Sequence, residues 1–222
     1  MNRVKWLVAV AAVTIIAGAE GFAQEQLDLQ KAASRMRHNQ KALQQYTWES
    51  QIKYEVDGVR RRVDLFRVRY DGNGSLERMQ IGGESAKGKL RRPDGKKLSK
   101  KEREAAYAFA MEVKAQLDAY LSPLFAERAV STATTTIEED VIHLRAHDVV
   151  KPGDTVEIDL ALSSKSPKRL RATTTINGSP VELEVSFGAL EYGPICPERS
   201  VTTASWEGMK LAIFTENSNY SR

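Results

Sequence analysis

The stretch TVEIDLALSSKSPKRLRATTTINGSPVELEVSF, Thr155–Phe187, decides the fold. In its first, middle and last parts, apolar or small side chains occupy every second position, with charged and hydroxyl residues between them. An alternation of period two predicts β-strands that are buried on one face only. Asn177-Gly178 is a two-residue turn signal, because both residue types tolerate positive φ. The stretch therefore predicts one strand followed by a long antiparallel hairpin.

The same alternation recurs on both sides of this stretch. Near the N-terminus, TWESQIKYEV and VRRRVDLFRVRY are predicted to form two strands that are joined by Asp57-Gly58, a second hairpin signal. The apolar parity of the second strand changes between Leu65 and Phe66, which predicts either a bulge or a strongly twisted strand. Shorter alternating runs at SLERMQI, VIHLRAH, SVTTASW and KLAIFTE predict further strands.

Two segments have helical periodicity instead. Residues 26–46 carry apolar side chains at spacings of three, four and seven. A second helix is predicted to begin at Ser99, which can form a capping box with Glu102, and to run to about Leu121. Pro123 then favours a short additional helix over PLFAERAV, since proline is common at the first helical position.

These elements predict an α+β fold. Eight to ten strands with one apolar face each imply a single curved antiparallel sheet whose concave apolar face needs a cover. The two amphipathic helices are the candidates for that cover. The length of the chain suits one large domain, residues 24–222, with two small domains as the less favoured alternative.

The first 23 residues have the pattern of a cleaved secretory signal. Arg3 and Lys5 precede the apolar run Trp6–Ala19, and GFA places small residues before Gln24. The run is shorter than the ~20 residues that span a bilayer as a helix. We expect cleavage after Ala23 and a soluble periplasmic protein without a lipid anchor. Cleavage after Ala19 and an uncleaved membrane anchor are the alternatives.

The chain has a single cysteine, so no intrachain disulfide can form. Cys196 lacks a neighbouring base in the sequence that could activate a nucleophile, and we expect a buried, inert thiol. His143 and His147 lie about 13 Å apart along a predicted strand, which is too far for one metal ion without a further ligand at a bend. The acidic run at 138–140 lacks the spacing of a calcium loop. We predict no cofactor, no metal and no catalytic residue, so the chain is not expected to be an enzyme.

Positive charge is concentrated in one segment. Residues 87–103 contain nine lysines and arginines against two acids, whereas the remainder of the predicted mature chain is acidic. Nucleic-acid binders carry basic residues over a face, interleaved with aromatic side chains, and this segment has no aromatic residue before Tyr107. Nucleic acid is therefore excluded as a partner. The glycines of this segment and Pro93 are expected to prevent regular structure.

Two interpretations of the basic segment stay open: a solvated linker, or a docking surface for an anionic membrane or an acidic envelope protein. The candidate docking residues are Arg91, Arg92, Lys96, Lys97, Lys100 and Lys101.

The order of these elements resembles the LolA-like family of periplasmic lipoprotein carriers, which also includes LolB and the lipid-binding half of RseB. The resemblance rests on the predicted leader, on the helix that ends in LQQYTWESQIKY, and on the hairpin into DLFRVRYDGNG. The segment IDLALSSKSPKRLRATTTINGSPVELEVSFGALEYG matches the long hairpin of that family best. The resemblance implies an unclosed β-barrel with a helical lid over an apolar cavity.

The resemblance also implies a function, namely a monomeric carrier or sensor for an acyl chain or a lipoprotein. Burial of acyl methylenes at roughly 0.8 kcal/mol each would drive binding. The predicted cavity lining is Trp48, Ile52, Tyr54, Phe109, Val113, Leu117, Ile158, Leu160, Leu183 and Val185. These side chains could equally fill a dry core.

Two further points depend on the resemblance. In that family an arginine from an early strand points into the cavity and holds the helical lid closed. Arg67 and Arg69 are the candidates for this role here. Their side chains could instead face water. The alternative function is a regulatory or structural interaction module of the cell envelope, like the sensor RseB, that binds a protein without transporting a ligand.

Overall fold

The computed structural model describes residues 30–72, 74–85, 91–92, 94–121, 123–191 and 193–222. The predicted leader and the residues up to 29 lie outside these ranges. The helices are α1, residues 30–43; α2, Lys100–Tyr120; and α3, Pro123–Thr132. The strands are β1, Thr47–Val56; β2, Val59–Tyr70; β3, Leu76–Ser85; β4, Thr134–Glu138; β5, Val141–His147; β6, Thr155–Ala161; β7, Pro167–Ile176; β8, Ser179–Ala189; β9, Ile195–Trp206; and β10, Met209–Ser221.

All ten strands form one antiparallel sheet in the order β3-β2-β1-β10-β9-β8-β7-β6-β5-β4. Strands that are consecutive in sequence are neighbours in the sheet, except for β3 and β4, which lie at opposite edges. In addition, β1 pairs with β10, the last strand described. Because β3 and β4 are the two edges, the sheet is not closed within the described ranges. The segment that contains α2 and α3 connects one edge of the sheet to the other. The predicted single antiparallel sheet is confirmed.

The turn signals and the parity change in the sequence are confirmed. Asp57 and Gly58 both have positive φ, 51° and 74°, as do Asn177 and Gly178 in the second hairpin. Two-residue turns of this type match the right-handed twist of the flanking strands. The register between β2 and β3 shifts between Leu65 and Phe66, which is where the apolar parity changes.

The third strand is longer than the sequence predicts. β3 continues through Gly82 and Gly83 to Ser85, where we expected the start of an irregular loop. A Cβ atom at Gly83 would lie 2.8 Å from the carbonyl oxygen of Val63 and 3.0 Å from a carboxylate oxygen of Asp64. Glycine is required there because the two strands approach closely around the buried Asp64 side chain.

The described part of the basic segment is also more ordered than expected. Arg91 and Lys97 form an antiparallel bridge, and the Arg92 amide donates to the Lys96 carbonyl at 2.8 Å. Leu98 is buried and anchors this small hairpin to the protein. The described residues between 91 and 98 thus contain no helix or strand, as predicted, but the bridge and the backbone hydrogen bond hold them in a defined turn. Residues 86–90 and 93 lie outside the described residues.

Helix α2 begins where the sequence predicts. Ser99 is its N-cap, and the capping box with Glu102 is present in both directions. The helix ends at the cap residue Leu121, so both predicted limits are confirmed.

The buried apolar side chains form three clusters. The α3 cluster joins α3 and parts of α1 and α2 to strands β5–β8. The α2 cluster joins the middle of α2 to β1, β10 and the facing ends of β7–β9. The Trp48 cluster, made of Leu43, Trp48, Val68, Tyr70 and Cys196, lies between the end of α1 and strands β1, β2 and β9. The helices thus contact the apolar face of the sheet through separate patches.

One buried carboxylate organises the loop between β5 and β6. The Asp154 side chain accepts hydrogen bonds from three successive backbone amides, those of Val149, Val150 and Lys151, at 2.8, 2.9 and 3.1 Å. The hydroxyl of Tyr120, at the end of α2, donates to the same carboxylate at 3.1 Å. Burial raises the pKa of Tyr120 to about 12, so the hydroxyl keeps the proton that it donates. Asp154 therefore joins this loop to α2.

Candidate ligand-binding site

All ten predicted lining residues are buried, but they do not surround one common space. Leu117, Ile158, Leu160, Leu183 and Val185 belong to the α3 cluster; Ile52, Tyr54, Phe109 and Val113 to the α2 cluster; and Trp48 to the Trp48 cluster. Their contact with a ligand stays a prediction.

Two cavities lie at boundaries between the clusters, and a third lies at the edge of the α2 cluster. A cavity of about 80 Å³, called the α1 cavity below, lies between α1, the turn joining α2 to α3, and the sheet. It is lined by Met36, Asn39, Gln40, Leu43, Tyr70, Tyr120, Leu121, Phe125, Pro167, Leu170, Phe187, Ile195 and Pro197. A second cavity of about 30 Å³ is bordered by Trp48, Ile52, Leu117 and Val185, and a third of about 20 Å³ by Phe109. Five of the ten predicted residues therefore border one of these three cavities.

A charged cluster at the 30 Å³ cavity connects α2 to the edge strand β3. The guanidinium of Arg78 donates to both carboxylate oxygens of Asp118, at 2.8 and 2.6 Å. The ammonium of Lys114 donates to the same carboxylate at 3.4 Å. Lys114 is buried, whereas the other two side chains are about a quarter exposed. Since a two-pronged arginine–carboxylate pair fixes orientation as well as distance, Arg78 holds the edge strand against the helix.

We expect the charge on Lys114 to destabilise the fold at neutral pH. Burial lowers the pKa of Lys114 from 10.5, although the Asp118 carboxylate opposes this shift. The unfolded chain therefore binds the proton more tightly than the native state, and stability should rise as pH approaches 10.5. Lys114→Met should be up to about 2 kcal/mol more stable than wild type near neutral pH, and this advantage should shrink toward pH 10.5.

Urea unfolding of both proteins across this pH range checks the prediction. Lys100→Met is the matched control, because Lys100 lies on the same helix and pairs with Glu104 at the same spacing but is exposed. It should show no such pH-dependent difference. If the difference in unfolding free energy between Lys114→Met and wild type stays constant with pH, the charge on Lys114 does not destabilise the fold.

The two arginines implied as lid contacts lie elsewhere. Arg67 and Arg69 are exposed on β2, on the opposite face from Val68 and Tyr70, which are buried. Arg69 pairs with Glu77 of the neighbouring strand at 2.7 Å. Successive side chains of a strand point to opposite faces of the sheet. Arg67 and Arg69 therefore face away from the Trp48 cluster, which contains Val68 and Tyr70. Two other arginines contact α2: Arg78 of β3 pairs with Asp118, and the guanidinium carbon of Arg62 of β2 lies 5.1 Å from the ring centre of Tyr107.

Polar contacts hold α1 against the sheet. The Asn39 side chain donates to the carbonyl of Ile195 and accepts from its amide, both at 2.6 Å, so it pairs with the end of β9 as a strand backbone would. Arg35 donates to the carbonyl oxygen of Ser164 in the turn between β6 and β7. The apolar contacts of α1 come from small or partly buried side chains, Ala32, Ala33 and Met36, and from Leu43.

An open groove of about 540 Å³ lies outside the α1 cavity, between α1 and the ends of β7 and β9. We call it the α1 groove. Its described lining contains four basic residues, Arg35, His38, Lys165 and Arg222, and no acidic one. Arg222 also lies over the ring of Tyr46, with its guanidinium carbon 5.0 Å from the ring centre.

Part of the basic segment is paired with acids. Arg92 contacts both Glu102 and Glu207, and Lys96 and Lys100 lie 3.5 and 3.9 Å from Asp94 and Glu104. Among the described contacts, Arg91, Lys97 and Lys101 have no acidic partner. The positive charge available to a docking partner is therefore smaller than the composition of the segment indicates.

The candidate chemical groups of the sequence are engaged in local contacts. Cys196 is buried, and burial raises the pKa of its thiol. His143 contacts Asp159 at 2.8 Å, and His147 contacts the hydroxyl of Thr155 at 3.1 Å. Within the described ranges, no cluster of three or more histidine, cysteine or acidic residues has the arrangement of a metal site.

Sequence reasoning missed the residues that connect the helices to the sheet. Arg78 lies on a strand that the sequence predicts only weakly, and its partner Asp118 is 40 positions away. Lys114 offers one local signal, because it falls on the apolar face of α2 with an acid at the i+4 position. Asn39 offers none, since an asparagine on a helix surface is ordinarily solvated.

Over the described residues, none of the helices combines the length and the hydropathy required to cross a membrane.

No protein-family profile matches the chain, and no curated protein matches it significantly. Three solved structures are similar. A LolA superfamily protein from Nitrosomonas europaea is 11% identical, with a TM-score of 0.44, over 85% of this chain and 92% of that one. A complex of MucA and MucB from Pseudomonas aeruginosa is 9% identical, with a TM-score of 0.26, over 85% and 94%. MucB in complex with MucA(peri) is 10% identical, with a TM-score of 0.23, over 84% and 94%. The first of these similar proteins carries the name of the family that the sequence resembles.

Proposed function

We propose that this chain is a non-enzymatic periplasmic protein that binds an acyl chain, of a lipid or a lipoprotein, between its helices and its sheet. In this proposal the helices are the lid over the concave face of an unclosed barrel. The observation that carries it is the divided interior: three apolar clusters with cavities along their boundaries. A protein that needs only a stable core gains more from one continuous, close-packed interior.

The α1 cavity is the proposed entry for the chain. At about 80 Å³ it is smaller than the ~150 Å³ apolar cavity that admits a benzene molecule, so acyl binding requires the cavity to widen. Opening requires α1 to move away from the sheet. The contacts that resist this motion include the hydrogen bonds of Asn39 and Arg35, which water can replace. The burial of Ala32, Ala33 and Leu43 also resists it. Each buried methylene then contributes roughly 0.8 kcal/mol to binding.

The absence of catalysis and the periplasmic location are parts of the proposal. The buried state of Cys196 and the local pairing of His143 and His147 support a binding role over a catalytic one. In the same proposal Arg91, Lys97 and Lys101 supply the charge that directs the protein to an anionic surface or an acidic partner.

Filling the α1 cavity should prevent acyl binding. Met36 is half-buried and lines the cavity, so in Met36→Trp the indole should occupy the space that the chain needs. We expect the affinity for cis-parinaric acid methyl ester, a neutral fluorescent acyl probe, to fall by at least about tenfold, or 1.4 kcal/mol. Fluorescence titration measures the affinity, and thermal unfolding checks that the variant is folded.

Met111→Trp is the matched control. Met111 is exposed on α2 and is not among the residues that line the α1 cavity. It should bind the probe like wild type. If the folded Met36→Trp variant binds the probe as wild type does, the chain does not enter through this cavity. If wild-type protein does not bind the probe, the acyl-binding proposal is wrong.

A second candidate function has one specific observation in its favour. Among the described strands β3 is an edge of the sheet, and it presents two exposed apolar side chains, Met79 and Ile81. An exposed apolar edge can accept a strand from another protein. An interaction module of the cell envelope would use this edge, and wild-type protein that does not bind the acyl probe would favour that function.

A further inference from the structure

The α1 groove and the α1 cavity are adjacent parts of one site. Both are lined by Met36, Asn39, Pro167 and Ile195, which therefore form the wall between them. The groove is open and basic, whereas the cavity is enclosed mainly by apolar and aromatic side chains. A ligand that occupied both spaces would need a polar end and an apolar end.

The positive charge of the groove indicates what kind of polar group the ligand would carry. Helix α1 contributes Arg35 and His38 to the lining of the groove, and it contains no acid between residues 30 and 43. On the opposite side of the groove, the turn between β6 and β7 contributes Lys165. Cations converge on the groove from two separate elements, which favours an anion there.

The side-chain types favour phosphate in particular. Arginine presents five N–H donors in a planar fork, and the contact of Arg35 with the Ser164 carbonyl uses one nitrogen. Lysine and histidine supply further donors to an anion with several oxygens. The groove volume of about 540 Å³ is within the range of small-molecule sites and exceeds what a bare carboxylate requires.

We propose that the ligand is an acylated lipid with a phosphate headgroup: the phosphate binds in the α1 groove, near Arg35 and Lys165, and the acyl chain enters the α1 cavity past Met36. This inference rests on the proposed function, because it assigns a headgroup to the same acyl site. Contact of the phosphate with Arg35 would draw the guanidinium away from Ser164 and so weaken one of the contacts that hold α1. Headgroup binding would thereby assist the opening that the chain requires.

Three probes separate the parts of such a ligand. 1-Oleoyl-lysophosphatidic acid carries chain and phosphate, 1-oleoylglycerol carries the chain alone, and glycerol 3-phosphate carries the phosphate alone. Their affinities are measured by displacement of cis-parinaric acid methyl ester or by calorimetry, below the concentration at which the lipids form micelles. We expect the lysophosphatidic acid to bind roughly tenfold more tightly than 1-oleoylglycerol, and this ratio to fall at high salt.

Variants test whether the side chains of the α1 groove bind the phosphate. Arg35→Gln/Lys165→Asn should lower the affinity for lysophosphatidic acid by roughly tenfold. It should not lower the affinity for 1-oleoylglycerol, because loss of the contact between Arg35 and Ser164 only eases the movement of α1 away from the sheet. Asparagine suits position 165 because Lys165 has a positive φ of 55°. The control Arg60→Gln/Lys210→Gln removes the same charge from exposed positions near the β1–β2 turn and should bind both lipids as wild type does.

The outcomes distinguish this inference from the proposed function. If both lipids bind wild type equally, or if the groove variant and its control behave alike, the headgroup assignment is wrong and the acyl-binding proposal stands. If glycerol 3-phosphate binds as tightly as lysophosphatidic acid, the groove is a phosphate site without a chain, and the inference is overturned. If neither lipid binds, the acyl-binding proposal fails and the inference fails with it.

Discussion

Leu160→Arg is expected to abolish the cooperative unfolding transition of the protein. Leu160 is completely buried in the α3 cluster, with 0% of its surface exposed. An arginine there would place an unpaired charge among aliphatic side chains, at a cost above about 5 kcal/mol. This cost is comparable with the whole stability of an ordinary domain, which is about 5 to 15 kcal/mol. Circular dichroism and tryptophan fluorescence during urea unfolding would measure the loss.

Val201→Arg is the control for this substitution. Val201 lies on β9 with more than a third of its surface exposed, so an arginine can reach water and the stability should hardly change. A folded Leu160→Arg protein that no longer binds the acyl probe would contradict our expectation. It would mean that position 160 borders a space for the ligand and not a dry core.

The second large effect is expected at Asp154. Asp154→Ala should lower the free energy of unfolding by about 3 to 5 kcal/mol, because one buried amide, two part-buried amides and the buried hydroxyl of Tyr120 lose their shared acceptor. Thermal or urea unfolding measures the loss. Asp154→Asn should have a smaller effect, since its one remaining carbonyl oxygen can still accept from the loop amides.

Asp148→Asn provides a control in the same loop. Asp148 accepts from the amide of Gly153 at 2.6 Å, but this contact is exposed, and asparagine tolerates the positive φ of 56° at this position. We expect a change below about 1 kcal/mol. Equal losses for Asp154→Ala and Asp148→Asn would show that loop conformation, and not the buried carboxylate, determines the effect.

The parts of the fold that local sequence determines were predictable. The strands from β5 to β8 follow from strict alternation, and the hairpin at Asn177-Gly178 follows from the backbone freedom of its two residues. The start of α2 follows from Ser99 and Glu102, whose side chains satisfy free amides at the helix end. Each of these signals is contained within a few residues.

The parts that depend on distant residues were not predictable. The extension of β3 through Gly83 depends on the carboxylate of Asp64 in the neighbouring strand. The hairpin at Arg91 and Lys97 depends on the burial of Leu98 against α2 and the last strands. A glycine-rich, highly charged segment has the composition of an irregular loop whether or not such a partner exists.

The candidate site shows the same division. The sequence identified side chains that are buried, since apolar alternation indicates the inner face of a strand. It could not tell which of them border a cavity, because cavities arise where packed clusters fail to meet. Trp48 lies at such a boundary, whereas Leu160 is enclosed by its own cluster.

The pairing of β1 with β10 has a consequence for how the chain reaches this structure. The last strand in sequence lies inside the sheet, where Val56 is opposite Leu211. Such a contact closes a loop of most of the protein, and folds that depend on distant contacts form slowly. Until β10 is synthesised, β1–β3 and β4–β9 are two separate half-sheets, each with an unpaired edge. For a chain predicted to be exported, the sheet is thus incomplete until β10 has been synthesised, which favours a precursor that remains unfolded during secretion.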